Sequence, residues 1–580
     1  MRFSTLAEYL QKLESTSSRN EITKILADLF RISADSEIDK ICYLVLGRIE
    51  PAYTGVEFNF AEKMMIRAMS MAYMADGVQI LKEYKQKGDL GNVVEELAHA
   101  KQTVNGKLSV EEVYERLHKV AEEGGKDSQE RKLVGVSQLL CQVDPLSAKY
   151  IVRIPLGKLR LGFSDATILD ALSVMKVGDK SARKVIEGAY NVLSDIGQIA
   201  LRVKGKGLKG LETTQATPGV PVRTSLAERL PSAAKIIEKL GPLVAVEPKM
   251  DGLRVQIHVW AASAQGSGEP KEVRVFSRNH ENTTAMFPEI VEAVKKLPTK
   301  DAIFDGEAIG YNPETQKFAL FQQTVQRKRK YDVDTKAGEI PLKVFVFDVL
   351  YLNGKDVMSR PFRVRRKLLE EVVDNRAGTI MLTRQIVVDN EKDLKAAFEE
   401  YIKEGLEGIV AKKMDVAYQA GGRGFHWVKY KRHTEGEIAD TIDCVLMGAY
   451  RGKGKRAGFG VGGFLLGVPG LDNKFYSLSN LGTGLTDEQF RQMYKMVEEL
   501  KVDTKPDSYE VPSVVAPDIW MRPKVVLEIL ADEISVSPRH AAKYSLRFPR
   551  LVKMRNDKSP EQATSAHELE TLYKMQNGGN

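Results

Sequence analysis

Three textures follow one another along this 580-residue chain, and they predict a multidomain α and α+β protein. Up to about residue 215, apolar residues recur at three- and four-residue spacings, as on helices packed against a core. From there to about Arg432, period-two alternation mixes with helical stretches, which predicts an antiparallel-rich α+β region rather than a regular βαβ alternation. After Thr434, short strands and glycine-rich turns suit a small C-terminal β-barrel, with the OB-fold as the natural candidate. A chain of this length is expected to divide into several domains. The changes of texture set the divisions at 1–215, 216–432 and 433–580.

The N-terminal helices are read from "IDKICYLVLGRI", "AEKMMIRAMSMAYM" and "SVEEVYERLHKVAEE", the last opened by Ser109 and Glu112 in capping-box spacing. The methionine-rich stretch is assigned to core packing. "RVKGKGLKGLETTQATPGVPVR" crowds glycine, threonine and proline and marks the boundary. Its Lys204, Lys206 and Lys209 belong either to a solvated linker or to one that also touches phosphate. In the middle region "LRVQIHVW" puts Leu253, Val255, Ile257 and Val259 on one face and Arg254, Gln256 and His258 on the other. "EVRVFSRN" returns as its partner across the loop "AASAQGSGEPK", and "AIFDGEAIGY", "LKVFVFDVLYLNG" and "EGIVAKK" are further strands. Beyond Thr434, "TIDCVLMGAYRGKGKRAGFGVGGFLLGV" reads as strand, basic glycine-rich turn and strand, and "KVVLEILADEISVS" as one more strand.

Composition narrows the function classes. Hydrophobic residues make up 43% and charged residues 28%, as in soluble globular proteins. No apolar run approaches the roughly 20 residues that span a bilayer. The opening "MRFSTLAEYLQKLEST" lacks a signal-peptide core, so a cytoplasmic protein is expected. Three distant cysteines, Cys42, Cys141 and Cys444, build neither a disulfide framework nor a zinc module and read as buried small hydrophobes. The net charge of +8 permits a polyanionic partner without requiring one.

The chemistry starts in "AVEPKMDGLRVQIH". Lys249, Asp251, Gly252 and Arg254 form K-x-D-G-x-R, a pattern that chance would place in about one chain in a hundred of this length. The pattern gains weight from an ordered series behind it: "SRN" at Ser277, "FDGE" at Phe304, "FDVLYLNG" at Phe347, "EGIVAK" at Glu407 and "WVKYK" at Trp427. Phosphoryl transfer needs a nucleophile in line with its leaving group and cations around the phosphates. A lysine serves as that nucleophile only when neutral, and neighbouring cations or a metal help to reach that state. Arg254, Lys429 and Lys431 are available cations, and the last two stand two residues apart, on one strand face.

With this series on the page, the chain resembles the ATP-dependent DNA ligases, in particular their archaeal replicative and repair type, over nearly its whole length. "GKLRLGFSDATILDAL" from Gly157 resembles part of the family's N-terminal domain, and "RFPRLVKMRNDKSP" from Arg547 resembles its C-terminal motif. The resemblance implies a helical DNA-binding domain, an adenylation domain and an OB-fold that close around nicked double-stranded DNA. It implies nick sealing in replication, repair and recombination, with ATP and Mg2+, or Mn2+ in its place. A monomer is expected, a sliding clamp is a candidate partner, and no membrane is involved. Lys249 is implied as the residue that takes AMP from ATP. Glu247 is implied on the adenine side, Phe347 as the face that stacks on adenine, Glu307 at the ribose hydroxyls, and Arg254, Arg278, Arg423, Lys429 and Lys431 as further nucleotide contacts. Glu407, with Glu307, is implied as a metal carboxylate. Arg547, Arg550, Asp557 and Lys558 are implied to orient the pyrophosphate. Backbone contacts to DNA are expected from Arg451, Lys453, Lys455 and Arg456 in the glycine-rich turn, and from Arg153, Lys158 and Arg160. One departure stands at the domain entry, where Thr224 and Ser225 occupy the place of a Pro-Met pair.

Three rivals share parts of the pattern. RNA ligases and messenger-RNA capping enzymes use a similar lysine but leave the helical N-terminal third unexplained. NAD-dependent ligases need a cysteine-rich zinc module that is absent here. A non-catalytic DNA clamp would not need every candidate catalytic residue.

Overall fold

The computed structural model describes residues 1–101, 107–261, 271–315, 317–319, 321–329, 332–373, 378–431, 441–452, 460–470, 472, 474–482 and 485–576. These fall into two compact units, Met1–Tyr430 and Lys431–Asn580.

The N-terminal half of the first unit is helical, from Phe3–Glu14 to Ile196–Lys206, around one continuous core that includes Leu6, Phe30, Met65, Met69, Tyr73 and Ile151. Helix starts are set by side chains that satisfy the first free N–H groups. Ser109 and Glu112 form the expected reciprocal capping box, and Asp144 and Asp195 accept from Ser147 and Gln198. Met65 and Met69 are buried, so this part of the methionine-rich stretch is core. The helix at the proposed boundary runs on through Lys206, further than the glycines suggest. Lys204 is drawn onto the C-terminal carbonyls of the Arg19–Ile32 helix, donating to the oxygens of Phe30, Arg31 and Ser33. That carbonyl cage places it away from a phosphate-touching linker. Cys42 and Cys444 are buried as expected, whereas Cys141 is exposed at the end of the Ser128–Leu140 helix.

The rest of the first unit holds two sheets. One is ordered Leu226–Arg229, Arg423–Lys431, Gly408–Lys413, Val244–Lys249 and Ile386–Val388. The other runs Lys271–Ser277, Leu253–Ala261, Ala302–Asn312 and Leu342–Leu352, with Ile380–Leu382 pairing parallel to the last. Leu253–Ala261 alternates as read, but its polar face is buried too. Gln256 exchanges hydrogen bonds with the backbone of Val222 (2.8 and 3.0 Å), and His258 Nδ1 accepts from the Gly219 N–H at 3.1 Å. Burial pushes His258 down to about 3, which keeps the ring neutral and able to accept that bond.

The second unit is an antiparallel-rich sheet domain of OB-fold type. Ile442–Arg451 pairs with Val461–Pro469 on one side and with Ile519–Met521 and Val526–Leu530 on the other, and Val526–Leu530 pairs onward with Arg550–Met554. "KVVLEILADEISVS", read as one strand, is two: Val526–Leu530 and Glu533–Val536, the second in a hairpin with Tyr544–Arg547.

Candidate active site

Lys249 ends one strand of the first sheet, and the chain then turns into the second. Val244, Ala245 and Val246 are fully buried and fix the strand between Gly408–Lys413 and Ile386–Val388. Register sets Lys249 opposite Gly408 and Glu247 opposite Val410. The half-buried Lys249 amine is ion-paired with the carboxylate of Glu407, the residue before Gly408. Gly252 lies so close to the neighbouring strand that a Cβ would stand 2.4 Å from the Ala308 carbonyl oxygen and 2.7 Å from Ile309. Any side chain there would push the turn off its partner, so the glycine of K-x-D-G-x-R follows from backbone packing.

In the second sheet Arg254 stands opposite Glu307. Its guanidinium makes a fork on Asp305 (3.0 and 2.6 Å) and donates to the Ser225 carbonyl at 2.9 Å. It also lies 5.2 Å from the Phe347 ring centre and 5.5 Å from that of Trp427. Burial alone would depress its ionisation, but the Asp305 carboxylate more than offsets this and raises it. Asp305 also accepts from the Tyr418 hydroxyl at 2.8 Å, and that oxygen accepts from the Ser225 N–H at 2.9 Å. Ser225 thus serves through its backbone, which explains why its side chain departs from the family pattern without disturbing the network. Burial pushes the Glu307 carboxyl up to about 7, with Arg254 and Lys249 pulling against it.

Phe347 is half-buried and meets Trp427 edge to face at 5.8 Å, whereas Phe345 is buried as the core residue it was read to be. Trp427, Lys429 and Lys431 alternate along Arg423–Lys431, so both lysines share the strand face of the tryptophan. Arg423 opens that strand, and its side chain lies outside the described residues. Arg278 is exposed in the turn after Lys271–Ser277.

Sequence reasoning missed Lys412, Gln385, Asp305 and Tyr418. Glu247 is buried and salt-bridged to Lys412 at 2.7 Å, and it accepts from Gln385 at 2.9 Å. Lys412 is 1% exposed; burial lowers its ionisation and Glu247 partly restores it. A lysine at an inward position of the apolar run "EGIVAK" was the available signal. The other three are unremarkable in sequence, because their roles come from strands and loops distant along the chain.

In the second unit, Arg547 pairs with Glu533 at 3.2 Å and Arg550 with Asp532 at 2.6 Å. Lys558 pairs with Asp443 at 2.5 Å, and Asp557 with Arg555, which also reaches Asp443 at 3.2 Å. The Arg555 guanidinium holds the Asp557 carboxyl far below the usual range.

The expected DNA contacts divide. Lys158 and Arg160 are exposed: the first pairs with Glu62, and the second donates to the Gly88 carbonyl at 2.6 Å. Arg153 is corrected: it is 1% exposed and enclosed by Glu14 and Asp89, so no DNA phosphate reaches it. Arg451 is exposed at a strand end. Lys453, Lys455 and Arg456, like residues 262–270 of the loop after Leu253–Ala261, lie outside the described residues.

Among the described residues no group of three or more His, Cys, Asp or Glu side chains gathers as a metal cage. Glu407 and Glu307 are hard oxygen donors. Magnesium takes one or two carboxylates and completes its octahedron with water and phosphate oxygens, so the pair fits that ion.

Comparison with known proteins shows the family. Three family models match: "DNA ligase N terminus" over residues 2–173, "ATP dependent DNA ligase domain" over 224–431 and "ATP dependent DNA ligase C terminal region" over 457–558. The "Probable DNA ligase" of Dictyoglomus turgidum is 42% identical over 99% of this chain and 98% of its own. The "DNA ligase" of Acidianus ambivalens is 38% identical over the same shares. A solved structure named Pmar-Lig_PreS3 covers 95% of this chain and 99% of its own, with a TM-score of 0.55 at 17% identity, a likeness of fold.

Proposed function

The chain belongs to the ATP-dependent DNA ligases, and from that premise we propose how its residues divide the work of sealing a nick. The family reaction joins a 3′-hydroxyl to a 5′-phosphate in duplex DNA through a lysine–AMP intermediate. In our reading Lys249 is that lysine. The observation that carries this is its place at the end of one sheet where the chain turns into the next, paired with Glu407 and close enough to Glu307 to pull its carboxyl down.

Lys249 attacks the α-phosphorus of ATP as the neutral amine, a state that neighbouring cations help it to reach. A P–N bond forms and pyrophosphate leaves. The 5′-phosphate of the nick then attacks the same phosphorus, breaking P–N and forming a P–O–P anhydride. Finally the 3′-hydroxyl attacks the phosphorus of the 5′-phosphate and AMP departs. Phe347 stacks on adenine, Glu247 lies at its edge, and Glu307 accepts from the ribose hydroxyls. Arg254, Arg278, Arg423, Lys429 and Lys431 offset phosphate charge. Glu407 and Glu307 would hold Mg2+, which supplies charge neutralisation at the transferred phosphate.

Arg547, Arg550, Asp557 and Lys558 orient the pyrophosphate. Their present ion pairs hold them ready, and each must exchange its partner to do so. Residues 1–215, together with Arg451, Lys453, Lys455 and Arg456, grip the DNA backbone, with Lys158 and Arg160 exposed for that task. Residues 216–432 form the adenylation domain and 433–580 the OB-fold. On the same reading the enzyme acts as a cytoplasmic monomer to which a sliding clamp can dock. Among the described residues no helix is long and apolar enough to cross a membrane.

Incubation with α-labelled ATP and Mg2+, followed by a denaturing gel, tests the core of this reading. Label is expected on the wild type and absent from Lys249→Ala. Label on both would move the nucleophile elsewhere.

A further inference from the structure

One buried cation in the site has no role in the steps above. Lys412 Nζ is 2.7 Å from Glu247 Oε2 and donates to the Phe347 carbonyl at 3.1 Å. It lies 4.7, 4.6 and 4.5 Å from the ring centres of Phe347, Phe362 and Trp427. A single ammonium thus ties the carboxylate at one edge of the nucleotide site to the aromatic wall of the same site. Gln385 Nε2 donates to the other carboxylate oxygen at 2.9 Å, and Arg366 stands 3.8 Å away. An ionised carboxylate has about four acceptor positions, so these contacts orient Glu247 and leave capacity for a ligand. Directly across the strand pair from Glu247, Val410 is half-buried.

Stability does not explain this arrangement. A buried ion pair is often no better for folding than apolar residues of the same volume, so stability alone is a weak reason for this one. The nearby Asp348 offers Lys412 no alternative partner, since Arg365 holds it at 2.8 and 2.9 Å.

We propose that Lys412, assisted by Gln385, is the positioning residue that sets nucleobase selectivity, by holding Glu247 as an oriented, ionised acceptor at the edge of the base. This rests on the reading of Glu247 and Phe347 as the adenine contacts. A carboxylate held this way accepts from the exocyclic amine of adenine and repels the carbonyl oxygen that guanine presents at the same edge. Sites built around a buried polar partner reject the mismatched base strongly, because the group is left unpaired.

The test is single-turnover covalent labelling with α-labelled ATP, GTP and N6,N6-dimethyl-ATP, on wild type, Lys412→Met and Gln385→Met. Wild type is expected to prefer ATP to both analogues. Lys412→Met should lower the ATP-to-GTP ratio of labelling efficiency by about tenfold or more, and Gln385→Met by about threefold, each removing one charge-assisted bond. A folded Lys412→Met that labels more slowly with every nucleotide at an unchanged ratio would make the lysine merely structural and overturn the inference. Should that variant not fold, an unchanged ratio in Gln385→Met overturns it instead. A wild type without preference among the three would remove the Glu247 reading itself, and the inference with it, while leaving Lys249 labelling intact.

Discussion

Arg153 and Arg254 are built from the same parts and reach opposite ends. Each is an arginine held by a fork on a buried aspartate: Asp89 in the helical region, Asp305 in the sheet region. Around Arg153 a second carboxylate closes the remaining side, with Glu14 at 2.8 and 3.0 Å. Gly91 packs so near that a Cβ there would lie 2.6 Å from Nε. Around Arg254 the second partner is a backbone carbonyl, the flank is aromatic, and 17% of the side chain stays open. An enclosed guanidinium whose charge is answered twice is a structural tie. One that is answered once and left partly open retains charge and donors for a phosphate. Enclosure, rather than the arginine itself, separates the two.

The largest effect should come from Lys249, the proposed nucleophile. Lys249→Ala is expected to lower AMP transfer by roughly 10⁴-fold or more while the melting temperature stays within a few degrees. Retained labelling would move the open site away from this sheet crossover. Next, the two arginines should differ in activity rather than in stability, since each substitution leaves a buried aspartate without its ion partner. Arg254→Met is expected to slow self-adenylation by about 10²-fold, read in single-turnover assays. Arg153→Met should lower unfolding free energy by about 3–5 kcal/mol in denaturant, because Asp89 and Glu14 are left buried and unanswered, with near-normal labelling per folded molecule. If the two labelling profiles come out alike, enclosure does not divide them.

Titration sharpens the contrast. Burial raises the Glu14 carboxyl, but Arg153, Tyr150 and Lys149 together lower it by more, so its folded value lies below the unfolded one. Its contribution to stability is therefore present above the ordinary carboxylate range and lost as pH falls through the folded value. Glu307 has the opposite sign, pushed up to about 7, so it favours folding at low pH and loses that contribution as pH rises from about 4.5 to 7. Its ionised form is the one that accepts from ribose, so KM for ATP in labelling should rise severalfold as pH drops from 8 to 6. Glu307→Gln should flatten that profile; an unchanged slope would assign it to another group. The smallest effect is expected at the surface. Lys158→Ala and Arg160→Ala should each weaken nicked-DNA binding by only a few fold, with a shallower dependence on salt. A loss specific to one DNA sequence would show base readout instead.

Much of this site was legible because phosphoryl transfer demands particular residue types at fixed separations along strands. The K-x-D-G-x-R spacing singled out Lys249 and Arg254 as candidates, and the resemblance carried by "FDGE" and "EGIVAK" singled out Glu307 and Glu407, each motif lying on one strand or turn. The capping box at Ser109 and the alternation from Leu253 were legible for the same reason. Lys412, Gln385 and Tyr418 were not, since their meaning comes from partners more than a hundred residues away. Arg153 was misread because basic character is visible in sequence and enclosure is not. Cys141 was misread in the reverse direction, its apolar neighbours facing the core while it faces solvent.

By itself, then, the sequence determined the succession of helical, mixed and barrel-like regions and the family, and it singled out Lys249 as the candidate nucleophile, because periodicity and motif spacing are properties of neighbouring residues. The tertiary structure alone decided which cations are tied down and which stay open, and which carboxylate each lysine meets. Those outcomes depend on burial and on strand register between distant segments, where the cost of leaving a charge without a partner in a dry environment is settled only once the chain has closed around it.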